Sequence, residues 1–212
     1  MDLIWLIPVL PGIGAALNGL LGIRYFSKPV AAAIACATMG AALILSIFAF
    51  AQLLGAEHRE HVVTLGHWIP PIPLQTVDGL GAFQAPWAFR LDPLSGMMIL
   101  IVTGIGFLIH LYSTGFMVDD PSYSRFFSYM NLFVASMLML VLADNLVLLY
   151  LGWEGVGLCS YLLIGFWYTN PDNGYAARKA FVVTRVGDTS MAIGLFLLFS
   201  QLGTLNIQEL LH

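Results

Sequence analysis

The sequence predicts an all-α integral membrane protein of about six transmembrane helices, with one long extracytoplasmic loop that can hold a β-hairpin. Two observations predict this class. Of the 212 residues, 59% are hydrophobic and only 9% are charged, whereas a soluble domain carries about 25% charged residues. Several apolar runs also reach the roughly 20 residues that a helix needs to cross a bilayer. The lipid bilayer is therefore an expected partner.

Six apolar runs are long enough to be transmembrane helices. In chain order they are Leu3–Ile23, Val30–Leu54, Pro93–Tyr112, Phe126–Ala143, Leu146–Trp167 and Ala180–Ser200. Only Asp144 and Asn145 separate the fourth run from the fifth. This short joint predicts that the two helices form a tight antiparallel helical hairpin. The chain then divides into helices 1 and 2 (1–54), an extracytoplasmic loop (55–92) and helices 3 to 6 (93–212).

The N-terminal run is expected to be a retained helix. It has no basic segment before it, and Asp2 is acidic, so it does not read as a cleaved signal peptide. Prolines such as Pro11 are tolerated in membrane helices when neighbouring groups satisfy the freed backbone. Gly12, Gly14 and Gly19 of this run are expected to allow close helix packing, because no strand precedes them as a dinucleotide-binding loop requires.

Lysine and arginine are distributed unevenly between the two sets of loops. Five lie in the first, third and fifth loops and two in the second loop: Arg24, Lys28, Arg125, Arg178 and Lys179, against Arg59 and Arg90. The positive-inside rule places the basic loops in the cytoplasm. It predicts an extracytoplasmic N-terminus. So few scattered cations also predict no nucleic-acid partner.

The loop 55–92 is the one sizeable aqueous segment. Strand-like composition at His61–Ile69 and Ala85–Leu91, separated by a proline-rich stretch, predicts a small β-hairpin. His58, His61 and His67 lie in this loop, but their spacing matches no strong metal motif and favours solvated histidines. Cys36 and Cys159 lie inside apolar runs without a second cysteine nearby, so we expect small buried residues and no metal.

Three charged residues lie where an apolar helix should exclude them. Glu154 is near the middle of the fifth run, and Arg185 and Asp188 are near the middle of the sixth. A charge at the bilayer centre costs about 2.5–3.5 kcal/mol on insertion scales, so such residues are functional candidates. Arg185 and Asp188 are spaced i, i+3 and can pair, either as a structural clasp or in transport. Glu154 is either a proton carrier or a neutral, hydrogen-bonded structural acid.

Polar and small residues recur at helical spacing around these charges. The fifth run carries Tyr150, Glu154, Gly157, Tyr161 and Tyr168, the sixth carries Arg178, Arg185 and Asp188, and the third carries Thr103, Gly106, His110 and Thr114. Such stripes can line a hydrated path or serve packing. The imidazole of His110 suits proton exchange, although a hydrogen bond to a neighbouring helix is an equal alternative. The residues alone therefore indicate part of a proton or cation pathway centred on Glu154.

Two of these stretches carry recognisable strings. Leu151–Phe166 reads LGWEGVGLCSYLLIGF, and Lys179–Asp188 reads KAFVVTRVGD. They resemble the helix 5 and helix 6 signatures of subunit L, the large antiporter-like subunit of respiratory complex I. Three other segments also resemble that family: Tyr123–Phe127, Ala143–Leu146 and Leu202–Asn206. The resemblance covers nearly the whole chain and is strongest after Arg90.

The resemblance implies a proton-pumping role within NADH:quinone oxidoreductase. It implies that Glu154 is a proton relay whose family counterpart pairs with a lysine on helix 7. It also implies that Arg185 and Asp188 couple the chain to the adjacent antiporter-like subunit, among the other membrane subunits of complex I. No cofactor is expected on this chain, because NADH, FMN, iron–sulfur clusters and quinone belong mainly to partner subunits. His110 remains a possible relay.

The chain departs from the family in length. Family members are roughly three times longer, and this sequence stops at His212, before the helix that would carry the lysine. We therefore expect a fragment, a split-gene product or a paralogue, with Glu154 unpaired and largely protonated. An Mrp-type cation/proton antiporter subunit, a membrane-bound hydrogenase arm and a non-transporting scaffold remain alternatives.

Overall fold

A computed structural model describes residues 1–56, 59–77 and 79–211, without the side chains of Leu80 and Leu211. Its long elements, in chain order, are α1 (Leu6–Tyr25), α2 (Lys28–Leu54), strands β1 (His61–Thr76) and β2 (Gly79–Leu91), α3 (Pro93–Phe116), α4 (Tyr123–Val141), α5 (Leu146–Ile164) and α6 (Pro171–Leu202), followed by the short α7 (Ile207–Leu211). Helices α1 to α6 are each long and apolar enough to cross a membrane. This confirms the predicted class of six transmembrane helices.

The helix ends differ from the predicted runs, most clearly in α6. Asn170 accepts a hydrogen bond from the Asp172 backbone N–H, and Pro171 occupies the first helical turn, where its missing N–H costs nothing. The helix therefore begins nine residues before Ala180. Arg178 and Lys179, predicted to lie in a loop, are inside this helix because capping extends it beyond the apolar run.

The first helix changes geometry along its length. It is α-helical over Leu6–Ala16, π-helical over Leu17–Gly22 and α-helical again over Ile23–Tyr25. Pro11 lies inside the first part. The π-helical segment makes α1 less regular than the other long helices. π-helical turns are rare and often occur at functional sites.

The connections alternate between two ends of the helical bundle. At one end, the Lys28 ammonium donates to the Val118 carbonyl at 2.7 Å, and Arg125 donates to the Phe166 carbonyl at 3.2 Å. At the other end, His61 of the hairpin lies 3.1 Å from the carboxylate of Asp2. The loops that the charge bias grouped together therefore do share one end of the bundle.

Strands β1 and β2 form an antiparallel hairpin, as predicted, but a longer one. The proline stretch predicted to separate the strands lies inside β1, where the register shifts between Ile69 and Ile72. A two-stranded sheet has only edge strands, so proline can occupy outward positions without breaking a ladder bond. Gly79 begins β2 with φ of 140°, a conformation that favours glycine.

The hydrophobic core lies among α1 to α4 and beneath the hairpin. Its most buried members come from every one of these elements and include Ile7, Met39, Leu53, Leu91, Ile99 and Leu138. Glycines bring α1 close to its neighbours: a methyl group on Gly14 would lie 2.4 Å from Thr38 Oγ1 on α2, and one on Gly19 would lie 2.6 Å from Ser128 Oγ on α4. The predicted packing role of these glycines is confirmed.

Candidate functional site

Helix α5 is oriented by its contact with α4. The Asn145 side chain caps its first turn by accepting from the Leu148 N–H at 2.9 Å. A methyl group on Gly152 would lie 2.7 Å from the Leu140 backbone nitrogen, so the two helices touch there with no side chain between them. Two residues beyond Gly152, the Glu154 side chain then projects away from α4 and towards α6.

Glu154 contacts a cation on the neighbouring helix. The Arg185 guanidinium of α6 donates to Glu154 Oε2, and its Nε lies 3.8 Å from Asp188 Oδ2. The expectation of an unpaired Glu154 is therefore wrong: an arginine on helix α6 pairs with it. The i, i+3 pairing of Arg185 and Asp188 is confirmed in the looser sense of an ion pair without a close hydrogen bond.

The third member of this group is the most buried. Asp188 has 5% of its side chain exposed, against 20% for Glu154 and 36% for Arg185. The Trp153 indole N–H donates to Asp188 Oδ1 at 2.6 Å, and the Tyr150 hydroxyl donates to the Asp188 backbone carbonyl at 3.4 Å. Asp188 is thus held from α5 by two aromatic side chains. We call Glu154, Arg185 and Asp188 the charge triad.

Aromatic rings enclose the arginine from one side. The Arg185 guanidinium lies 4.6 Å from the centre of the Phe181 ring, which itself lies 5.2 Å from the Tyr161 ring of α5. A cation over an aromatic face is stabilised by the ring quadrupole. The aromatic rings therefore favour the position between the two helices, where the guanidinium meets both carboxylates.

One cation shared by two carboxylates has a specific chemical consequence. The triad carries one positive and two negative formal charges, so full ionisation leaves one carboxylate less compensated than the other. A nearby opposite charge favours the ionised form of an acid, and desolvation favours the neutral form. Movement of the guanidinium by a few ångströms would therefore change how well each carboxylate is compensated.

His110 lies elsewhere, in the interior of the bundle of α1 to α4. It is completely buried, and its Nδ1 lies 2.8 Å from the Gly106 carbonyl of its own helix. Thr103 and Gly106 of the predicted α3 stripe are buried with it. The structure thus brings Glu154, Arg185 and Asp188 together and places His110 apart from them.

The predicted α5 stripe is partly right. Tyr150 and Tyr161 do face α6 beside Glu154, but Tyr168 lies beyond the end of α5, with its ring 5.1 Å from Arg125. Sequence reasoning missed Trp153 and Phe181. The signal for Trp153 is its position three residues after Tyr150, which gives it access to the same neighbouring helix.

In the part of the chain that the structure describes, no three metal-ligating side chains converge. His61 contacts Asp2, and both cysteines are free thiols. His58 lies outside the described residues. The charge triad is accordingly the candidate site on which function is argued.

Two family models match this chain. The model described as NADH-ubiquinone oxidoreductase (complex I), chain 5 N-terminus, matches residues 78–127. The model described as NADH:quinone oxidoreductase/Mrp antiporter, TM, matches residues 143–212, which include the whole charge triad. The chain belongs to this family of antiporter-like membrane subunits. The resemblance to complex I subunit L is thereby confirmed.

Relatives within the family carry the name NADH-quinone oxidoreductase subunit L. The protein of Escherichia coli (strain K12) is 46% identical over 212 residues, which is 100% of this chain and 33% of that protein. The protein of Mycobacterium tuberculosis (strain H37Rv) is 46% identical over 204 residues, 95% of this chain and 30% of the relative. This chain therefore spans about a third of the length of these curated relatives.

Chains of two solved complexes have the same fold. The Mrp complex of Dietzia sp. DQ12-45-1b matches with a TM-score of 0.71 and 26% identity, over 98% of this chain and 20% of that one. The archaeal membrane-bound sulfane sulfur reductase matches with a TM-score of 0.79 over 97% of this chain and 39% of that one, but at 17% identity it supports the fold alone. These relatives belong to multi-subunit membrane complexes.

Proposed function

We propose that this chain is part of a proton-translocating subunit of NADH:quinone oxidoreductase. In this proposal the charge triad holds and releases a proton while quinone is reduced elsewhere in the complex. The observation that carries the proposal is the contact between Glu154 on α5 and Arg185 on α6, inside a chain 46% identical to subunit L of Escherichia coli. Asp188 provides the competing carboxylate.

The energetics of the triad support a working role over a purely stabilising one. Removing two opposite charges from water costs more than their attraction returns unless the geometry is excellent, and a well-packed apolar pair is often as stable. Ionisable groups inside membrane spans accordingly mark proton or ion pathways more often than scaffolds. The triad also lies where α5 and α6 meet, so a shift of one helix changes its charge spacing.

The exposed surface of α6 supports partners in the membrane. Large apolar side chains face outwards along this helix, among them Val182, Val183, Val186, Ile193, Phe196 and Leu197. In a bilayer such a face contacts lipid or other apolar helices. We propose that it meets further membrane helices of complex I, including the adjacent antiporter-like subunit, in a bacterial inner membrane with the N-terminus outside. NADH, FMN, iron–sulfur clusters and quinone would then belong to other subunits.

The experiment replaces Glu154 with Gln in the chain carried by its native membranes. NADH-driven proton uptake into vesicles and quinone reduction are measured on the same preparation. Because the amide of Gln cannot ionise, we expect proton uptake to fall at least about tenfold. The complex should still assemble. Asp172→Asn is the matched control, since this exposed carboxylate lies on α6 away from the triad. Full pumping by Glu154→Gln would contradict the proposal.

A second candidate function is that of an Mrp-type cation/proton antiporter subunit. The fold match to the Mrp complex of Dietzia at 26% identity favours it. The two candidate functions differ in what drives proton movement. An antiporter exchanges protons for Na⁺ across the vesicle membrane without NADH, whereas the proposed pump needs electron flow. A non-transporting scaffold would leave both activities intact in Glu154→Gln while lowering the amount of assembled complex.

A further inference from the structure

A cleft with two cations opens at the end of the bundle where Lys28 contacts Val118. It has a volume of about 370 Å³ and lies between the end of α1, the start of α2 and the start of α4. Its polar lining consists of two cations and three hydroxyls: Lys28, Arg125, Ser27, Ser122 and Ser124. No carboxylate of the described residues lines it. We call it the Lys28–Arg125 cleft.

The two cations of the cleft have donors to spare. Among the described residues, neither Lys28 nor Arg125 lies within 4 Å of a carboxylate oxygen. The ammonium of Lys28 has three donors and uses one for the Val118 carbonyl at 2.7 Å. Arg125 donates to the Phe166 carbonyl at 3.2 Å, and its Nε is buried without a partner in the described part of the chain. Neither positive charge is therefore neutralised by an ion pair there.

Two acidic residues precede α4, and neither lines the cleft. They are Asp119 and Asp120. The Asp120 carboxylate is held on both oxygens: Oδ1 accepts from the Ser122 backbone N–H at 2.7 Å, and Oδ2 accepts from the Trp167 indole N–H at 2.8 Å. A ligand in the cleft would therefore meet both cations and no carboxylate of the described lining.

The cleft lies at the level where membrane spans end. The span α1 ends there, and the spans α2 and α4 begin there, so the cleft is at the depth of the lipid headgroups. Beside it, α1 exposes 79% of Leu20 and 62% of Ile23, and Ile23 also lines the cleft. A lipid could thus place its headgroup between Lys28 and Arg125 and its acyl chains against the apolar face of α1.

We propose that the Lys28–Arg125 cleft binds a phosphate group, carried by an anionic phospholipid of the surrounding membrane. The ammonium and the guanidinium pair with the phosphate oxygens, and the serine hydroxyls donate to the oxygens that remain. Basic pockets between membrane helices bind anionic headgroups in this way. Free phosphate shares the headgroup chemistry but gains nothing from Leu20 and Ile23. This inference stands independently of the role proposed for Glu154.

Photolabelling tests the site in the assembled membrane complex that contains this chain. Resident lipid is exchanged in detergent, and the complex is reconstituted into phosphatidylcholine vesicles. A photoreactive phosphatidylglycerol or a matching phosphatidylcholine is included at equal mole fraction, and label on residues 22–28 and 121–125 is measured by mass spectrometry. We expect at least about fivefold more label from the anionic probe. Excess inorganic phosphate should leave this label unchanged.

A matched pair of variants separates charge from folding. Ser27 is the N-cap of α2, a position where Asp and Asn are both favoured, so Ser27→Asp and Ser27→Asn should both keep the helix. Only Ser27→Asp adds a negative charge to the cleft, and we expect it to abolish the preference for the anionic probe. Lys28→Gln should lower this preference at least about threefold. Arg178→Gln, which removes an exposed cation outside the cleft lining, should not.

Three results would overturn the proposal. Equal labelling by the two probes would show that the cleft does not select an anionic headgroup. Equal losses in Lys28→Gln and Arg178→Gln, or in Ser27→Asp and Ser27→Asn, would assign the preference to diffuse surface charge or to altered folding. Displacement of the label by inorganic phosphate would make free phosphate the ligand and remove the lipid from the assignment.

Discussion

The bundle of α1 to α4 and the pair α5–α6 are built differently. Within the apolar window of α4, 39% of residues are buried, against 6% in the window of α6. The bundle has its own core and is closed by glycine contacts, whereas α6 leaves most of its apolar surface uncovered. The charges nevertheless concentrate on the side whose apolar surface this chain leaves uncovered. In a bilayer such a surface contacts lipid or other apolar helices, so the triad lies beside a surface that meets its surroundings and not inside the core of the bundle.

The largest effect is expected from removing the shared cation. Arg185→Met leaves Glu154 and Asp188 close together without compensation, and breaking a buried pair by deleting one partner is strongly destabilising. We expect proton uptake to fall at least about tenfold, with a weaker contact between α5 and α6, as measured by vesicle pumping and cross-linking of the two helices. Arg178→Met, an exposed arginine on the same helix, is the control. If both variants behave alike, the cation at position 185 has no special role.

The next effect concerns the contact between the two regions. Gly152→Val places side-chain atoms against the Leu140 backbone, and overpacking of this kind costs roughly 1–3 kcal/mol. We expect a lower unfolding temperature for the purified protein in detergent. Gly157→Val on the same helix is the matched control, because a methyl group there meets nothing within 4 Å. Equal losses for the two variants would indicate an effect of helix propensity alone.

A smaller effect is expected at the edge of the charge triad. Trp153→Phe keeps an aromatic ring but removes the indole N–H that donates to Asp188. A hydrogen bond to a charged group contributes roughly 1.5–3 kcal/mol when buried. Because about half of Trp153 is exposed, we expect the substitution to lower the free energy of unfolding by only about 1 kcal/mol. The rate of proton uptake should fall while quinone reduction is unchanged. An unaltered rate of proton uptake would place Trp153 outside the coupling of the triad.

The smallest effect is expected at Asp144, in the connection between α4 and α5. Burial raises the pKa of the Asp144 carboxyl against the opposing hydrogen bond from Asn206 and the charge of Arg90, while Glu60 and Glu209 add to the rise. Because the folded state binds this proton more tightly than the unfolded state, local stability should fall as pH rises from the ordinary aspartate range through the raised pKa, and level off above it.

Hydrogen exchange measures this effect directly. The Asp144 N–H donates to the Ala88 carbonyl, and the Ile207 N–H donates to the Asp144 carbonyl. After correction for intrinsic exchange rates, we expect protection of both amides to decline as pH rises above the ordinary aspartate range, and Asp144→Asn to abolish the decline. Protection that increases with pH would reverse the assignment of the proton.

Local chemistry explains why much of the fold was predictable. The six spans follow from the length of their apolar runs, and the hairpin follows from strand composition between α2 and α3. The ends of α6 were wrong because Asn170 and Pro171 extend the helix with polar residues that an apolar window ignores. The strand ends were wrong because proline is tolerated on the edges of a two-stranded sheet.

The sequence by itself determined that Glu154, Arg185 and Asp188 are intramembrane charges, because desolvation makes each one costly wherever its helix lies. Only the tertiary structure decided that Arg185 is the partner of Glu154, that Trp153 holds Asp188, and that His110 lies apart from them. Such pairings depend on the rotation of α5 about its axis. That rotation is set by the glycine contact of Gly152 with Leu140 of α4, a long-range packing condition that no local pattern encodes.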